Sequence, residues 1–160
     1  MTFDNSKTII SLRIKLFGAT VLILTYIVLT YIAKMIKYPL LGMSDTAWTL
    51  ILIGLYFLYA FLPMFLNYQY IYYSDEGEKI VFRYFTAGML GGRKNSIEIN
   101  KQSFSGYKRE VRLFGMIHSI TLYQKFQEGV ASYPPVYISA LSKAERSKIF
   151  RALNQLTVRE

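Results

Sequence analysis

Two stretches near the start of the chain are hydrophobic on every side. Residues 16–33 (LFGATVLILTYIVLTYIA) and residues 46–66 (TAWTLILIGLYFLYAFLPMFL) contain no charged side chain. At about 1.5 Å per residue, each is long enough as a helix to cross a hydrocarbon core of about 30 Å. The link between them is short and contains Pro39 and Gly42. The pattern therefore predicts two transmembrane helices that form an antiparallel hairpin within an N-terminal segment of residues 1–66.

After Leu66 the hydrophobic positions alternate with polar ones, which is typical of β-strands. The segments Tyr68–Tyr73 and Lys79–Phe85 flank a turn at Gly77 and predict a β-hairpin. Further strands are expected in SIEINKQ, FSGYKREVRLF, MIHSITLYQKF and VYISAL, with a turn at Gly129 before the last of them. Residues 67–160 are thus expected to form a separate domain of five or six short antiparallel strands. The side chains expected to point inward are Ile80, Phe82, Tyr84, Ile97 and Ile99.

The last segment predicts an amphipathic helix. Ser142 is a favourable N-cap and Glu145 lies three residues later, which is the spacing of a capping box. One face of the helix is apolar and consists of Ile149, Phe150, Leu153 and Leu156. A small domain of this kind uses such a helix to cover an open sheet. The predicted fold class is a membrane α-helical hairpin plus a small α+β domain, an antiparallel sheet or barrel closed by one C-terminal helix.

Charge adds an orientation and a candidate partner. The formal net charge is +9, which favours contact with an acidic surface such as an anionic bilayer. Basic residues flank the hydrophobic stretches more densely on the terminal side than in the link, where Lys34 and Lys37 are opposed by Asp45. This bias favours both termini in the cytoplasm. The absence of charged residues within the stretches argues against transport, and a membrane anchor argues against nucleic acid as the partner.

Catalytic and metal chemistry finds little support in the sequence. Without cysteine and with His118 as the single histidine, zinc fingers, disulfides and thiol catalysis are excluded. GMLGGRKN lacks the spacing of a phosphate-binding loop. We therefore expect no enzyme activity, no cofactor and no metal. Residues expected to contact lipid headgroups are Arg93, Lys94, Lys108, Arg109 and Arg112. Two tyrosines at equal depth in the hairpin, Tyr26 and Tyr56, are expected to turn inward toward each other, toward Thr25 or Thr30, or toward a partner subunit.

The order of these elements resembles the bacterial pleckstrin-homology-like (PH-like) membrane proteins, including the YcxB-like group. The resemblance lies in YIYYSDEGEKIVFRYF, IEI, FSGYKRE and PVYISALSKAERSKIFRAL. A PH fold has seven strands where about six are counted here, and its basic lipid-binding loop has no match. The resemblance implies a multi-pass protein of the bacterial inner membrane with a cytoplasmic PH-like domain and no catalytic residues.

Three functions remain open on these grounds. The first is a non-enzymatic scaffold or accessory subunit of a larger membrane complex, bound to another membrane protein or to a second copy of itself. The second is a sensor of anionic lipid headgroups. The third is a lipid-modifying membrane enzyme, for which the sequence offers no constellation of catalytic residues.

Overall fold

The computed structural model describes residues 1–87 and 92–157. The chain forms two compact units, one made of Met1–Ile9 with Met64–Glu160 and the other of Ile10–Pro63. The sequence predicts a domain that begins at Asn67. The structure adds the N-terminal residues to it, because a strand too short to show alternation lies at Thr2–Asp4.

Two long helices account for the hydrophobic stretches. Helix α1 spans Ser6–Ile27 and continues as a π-helical turn over Val28–Ile32, and α2 spans Asp45–Phe65. Both have a mean hydropathy of 1.9 over their most apolar window and are long enough to cross a membrane. This is compatible with a membrane protein. The first helix begins ten positions before Leu16, because the polar residues ahead of the apolar run are also helical.

The first sheet contains four antiparallel strands in the order of the chain. They are β1 (Thr2–Asp4), β2 (Gln69–Ser74), β3 (Lys79–Thr86) and β4 (Asn95–Asn100). The hairpin of β2 and β3 and the inward-facing positions are confirmed, since Ile80, Phe82, Tyr84, Ile97 and Ile99 are all buried.

The N-terminal strand is fixed to this sheet by a buried amide. Asn5 is 1% exposed. Its Oδ1 accepts the Ile71 amide at 2.8 Å and its Nδ2 donates to the Gln69 carbonyl at 3.0 Å. Both polar atoms of the side chain are therefore satisfied inside the fold, as burial requires.

The second sheet is built around one long strand. Strand β6 (Ile117–Phe126) pairs on one side with β5 (Phe104–Arg112). On its other side it pairs first with β8 (Val136–Tyr137) and then with β7 (Gly129–Ser132). The sequence does not predict β7, whose residues are all exposed. It also predicts a longer last strand, VYISAL, where the structure has only Val136–Tyr137. The chain turns after Tyr137, yet Ile138 and Leu141 remain buried.

The expectation of a closed barrel is wrong. Among the described residues, the end strands β1, β4, β5 and β7 each pair with one neighbour, so both sheets are open. Helix α3 (Lys143–Thr157) packs with the two sheets, and all three contribute side chains to one hydrophobic core. Its predicted apolar face is confirmed, since Ile149 and Leu153 are buried and Phe150 and Leu156 pack against the same core.

Candidate functional site

Aromatic and basic side chains lie together on the outer face of the first sheet. Because side chains alternate along a strand, the burial of Ile71, Tyr73, Phe82 and Tyr84 turns their neighbours outward. The strand register then places Tyr70 opposite Phe85 and Tyr72 opposite Arg83.

These cross-strand pairs are in direct contact. The rings of Tyr70 and Phe85 are stacked, with centroids 4.7 Å apart and planes 23° apart. The guanidinium carbon of Arg83 lies 5.8 Å from the ring centroid of Tyr72, within the range of a cation–π interaction. The face is thus an aromatic surface with one cation against it.

Strand β4 completes a groove beside this surface. Ser96 is opposite Arg83 and Asn95 is opposite Tyr84, with Lys94 immediately before the strand. The resulting cavity has a volume of about 490 Å³, within the usual size of small-ligand sites. We call it the aromatic–basic groove, and it is lined by Tyr70, Tyr72, Arg83, Tyr84, Phe85, Lys94, Asn95 and Ser96.

The positive charges of the groove have no acidic partner among residues 1–87 and 92–157. Ion pairs there join Met1 to Asp75 and Glu76, Lys79 to Glu98, and Glu110 to Lys108 and Arg112. Arg83 and Lys94 belong to none of these pairs. The carboxylate of Asp4 accepts the Tyr70 hydroxyl at 3.4 Å, and its hydrogen bonds from Ser6 lower its pKa. Burial, followed by the charge of Asp4, raises the pKa of Tyr70.

Of the other basic residues proposed from the sequence, those on β5 lie apart from the groove, and Arg93 adjoins it without lining it. Lys108 and Arg112 point the same way from β5 and share Glu110, at 3.0 and 2.7 Å. Hydrogen bonds from these two cations lower the pKa of Glu110. Arg109 points the opposite way and lies 5.0 Å from the Phe150 ring centroid. Arg93 is exposed, and its carbonyl accepts a hydrogen bond from Asn95 at 3.4 Å.

The sequence therefore names one of the two groove cations, Lys94, and misses Arg83. The signal for Arg83 was present in the alternation of KIVFRYF, which turns Val81, Arg83 and Phe85 to the face opposite Ile80 and Phe82. The alignment of Arg83 with Tyr72 depends on the hairpin register, which the alternation of one strand does not determine. Residues 88–91, which belong to the GMLGGRKN segment, lie outside the described residues.

The two tyrosines of the helical unit each bond to a hydroxyl. The Tyr56 hydroxyl is 2.8 Å from the Thr20 hydroxyl of α1. The Tyr26 hydroxyl is 3.0 Å from that of Tyr38 and 3.2 Å from that of Thr49 in α2. Both hydroxyls thus find partners inside the helical unit, but Tyr26 and Tyr56 do not bond to each other. The Thr30 hydroxyl lies 3.5 Å from the Tyr38 hydroxyl, which is also the partner of Tyr26.

His118 lies on β6, and its buried Nδ1 has no hydrogen-bond partner in the part of the chain that the structure describes. Burial lowers its pKa, and the charges of Arg146 and Arg109 lower it further. Within residues 1–87 and 92–157, no group of three or more His, Cys, Asp or Glu side chains could hold a metal ion.

Comparison of the chain with family models, with curated proteins and with solved structures finds no match.

Proposed function

We propose that this chain is a non-enzymatic, membrane-anchored module that binds the phosphate-bearing headgroup of an anionic lipid in the aromatic–basic groove. The observation that carries the proposal is the pair of cations, Arg83 and Lys94, that lines the groove without an acidic partner in the described structure. A guanidinium presents a planar fork of donors that matches phosphate oxygens. An ammonium adds a point charge, and each base near an anionic surface contributes about 1 kcal/mol.

The shape of the groove fits this chemistry. Stacked Tyr70 and Phe85 offer an apolar wall for the glycerol portion of a lipid, and the hydroxyl of Ser96 and the amide of Asn95 offer neutral hydrogen bonds. Ligand sites commonly combine such an apolar lining with a few polar groups that fix orientation. A neutral headgroup such as phosphocholine would instead bring its own cation toward Arg83 and Lys94.

The proposal includes a PH-like fold and a bacterial inner-membrane location with both termini in the cytoplasm. Support for the fold comes from two antiparallel sheets followed by α3. The described residues form eight strands, one more than the seven of a PH fold, and the additional strand is the three-residue β1. Support for the orientation comes from the basic residues that flank the hydrophobic stretches.

A binding measurement on the full chain in neutral detergent tests the groove. The ligands are short-chain phosphatidylglycerol and, for comparison, short-chain phosphatidylcholine. We expect Arg83→Gln and Lys94→Gln each to weaken phosphatidylglycerol binding about fivefold, the equivalent of about 1 kcal/mol. Lys79→Gln is the matched control, because Lys79 lies on the same strand but is paired with Glu98 at 3.8 Å. Unchanged binding by the Arg83→Gln, Lys94→Gln double variant would refute the proposal.

A scaffold or accessory subunit is the second candidate. It is favoured by the helical unit, in which the hydroxyls of Tyr26 and Tyr56 pair internally and the hydrophobic stretches carry no charge, leaving apolar surface for another membrane protein. Purification from native membranes distinguishes the scaffold from the lipid-binding module. A stoichiometric protein partner that survives the Arg83→Gln, Lys94→Gln substitutions would favour the scaffold.

A further inference from the structure

The turn between β5 and β6 carries large apolar side chains at its outermost positions. Phe114 is fully exposed, at 105% of its reference area, and Leu113 and Met116 are 58% and 57% exposed. These residues form the 113–116 turn, in which the Met116 amide donates to the Leu113 carbonyl at 3.1 Å. Burial in the core of the domain does not account for three neighbouring apolar side chains at a loop tip.

The backbone of this turn is poorly suited to the residues it carries. Leu113, Phe114 and Gly115 have φ values of 52°, 53° and 89°. The last two match the central residues of a type I′ turn, where asparagine, aspartate and glycine are favoured because the left-handed region crowds a Cβ atom. Phe114 thus occupies a position at which a small polar residue would be easier to accommodate. An apolar side chain that is both strained and exposed indicates a role outside the fold.

Two basic residues lie on the strand that leads to the apolar tip. Arg112 adjoins the 113–116 turn, and Lys108 lies on the same face of β5. Both are exposed, and together they outweigh the single negative charge of Glu110 between them. Apolar side chains at a tip with basic residues behind them suit the interface of an anionic bilayer. The apolar side chains would meet the acyl chains, and the basic ones would meet the phosphates just above. The chain also contains two helices long enough to cross such a bilayer.

We infer that the 113–116 turn inserts Leu113, Phe114 and Met116 into the interfacial region of an anionic membrane, with Lys108 and Arg112 against the headgroups. This contact is separate from the aromatic–basic groove, which lies on the other sheet, and neither depends on the other. Insertion would hold the second sheet end-on to the bilayer through one turn.

Fluorescence of a single tryptophan tests the insertion in the full chain. The substitution Trp48→Phe removes the one native tryptophan, and Phe114→Trp places the probe at the tip. The protein is reconstituted into vesicles of equal parts phosphatidylcholine and phosphatidylglycerol, with and without bromine on the acyl chains. We expect blue-shifted emission and strong quenching by the brominated lipid. A probe that is quenched by aqueous iodide and unaffected by bromine overturns the inference.

The far end of β6 provides a matched control. Val130 is 58% exposed and lies on β7 opposite Lys125, about 26 Å along β6 from the end next to the 113–116 turn. The substitution Val130→Trp should give water-exposed emission in the same vesicles. Equal quenching at both positions would mean general adsorption of the domain and would overturn the assignment to the 113–116 turn.

A further variant separates insertion from folding. Phe114→Asn suits the left-handed backbone, so the domain should unfold at the same temperature or higher. With the probe moved to Met116→Trp, Phe114→Asn should reduce the quenching by brominated lipid at least twofold. Undiminished quenching would show that Phe114 is not the anchor. A disulfide formed between two copies bearing Phe114→Cys, in place of lipid contact, would show that the tip binds a second copy, which also overturns the inference.

Discussion

Among single side chains, His118 lies on a strand and buries an Nδ1 atom that has no hydrogen-bond partner among the described residues. The sequence predicts a structural histidine within a strand, and the structure places it on β6. Its main chain is well bonded: the amide donates to the Ser139 hydroxyl at 3.0 Å and the carbonyl accepts the Ile138 amide at 2.8 Å. The unpaired Nδ1 could not be predicted from the sequence, because it depends on which loops fold over the strand.

The lowered pKa of His118 makes the stability of the domain depend on pH. Burial and the charges of Arg146 and Arg109 hold the folded pKa below the ordinary value of 6.5. Between these two pKa values the unfolded chain binds more protons than the folded one, so the free energy of unfolding decreases as the pH falls. The contribution is fully present above the unfolded pKa, and its loss is complete below the folded one.

Replacing His118 with glutamine should remove this dependence. Thermal unfolding of the full chain in neutral detergent is compared at about pH 8 and about pH 5.5, above the range in which most carboxylates titrate. We expect the melting temperature of the parent to drop at the lower pH and that of His118→Gln to drop less. An identical drop in both proteins would show that another group is responsible.

Arg83 shows why the candidate groove is only partly readable from the sequence. Its outward direction follows from alternation within β3, but its neighbours Tyr72 and Ser96 belong to other strands. A shift of the register by one residue would place different side chains beside it. Lys94 is predicted from the sequence because it stands beside Arg93 in the glycine-rich segment GMLGGRKN, a property of neighbouring positions in the chain.

Among the secondary-structure elements, α3 follows the prediction most closely because its signals are local. The Glu145 carboxylate accepts the Ser142 amide at 2.7 Å, and the Ser142 hydroxyl accepts the Glu145 amide at 3.2 Å, as a capping box requires. The strands were less predictable. Strand β1 has three residues and β7 has no buried position, so neither shows alternation. Whether a sheet closes depends on pairing between distant strands.

The docking of α3 can be tested with a charge placed in its apolar face. Phe150 stacks on Tyr107, with ring centroids 5.7 Å apart, and packs against the core. Phe150→Asp should lower the free energy of unfolding by about 2 kcal/mol or more, through lost packing and a poorly solvated carboxylate. Ser147→Asp adds the same charge at an exposed position of the helix and should change the stability little. Thermal unfolding of both variants makes the comparison, and equal melting temperatures would mean that Phe150 does not contribute to the core.

For the chain as a whole, the proposed orientation in the membrane rests on charge. We expect the link between α1 and α2 on the outer side and both termini on the cytoplasmic side. The chain has no cysteine, so single substitutions can be labelled cleanly. In intact cells an impermeant thiol reagent should label Ser44→Cys but not Gln102→Cys, both of which replace exposed residues. Permeabilised cells should show labelling at both positions, and the opposite result in intact cells would reverse the orientation.

The pairing of β1 with β2 has a consequence for biosynthesis. Thr2 and Ser74 are hydrogen-bonded at 2.9 Å although 72 positions separate them. A ribosome that adds about 5–20 residues per second makes the second strand about 4–14 s after the first. Both hydrophobic helices are translated in that interval, so the strand at Thr2–Asp4 waits unpaired until they have been made. A nascent chain that stalls before Gln69 leaves Asn5 without either of its backbone partners.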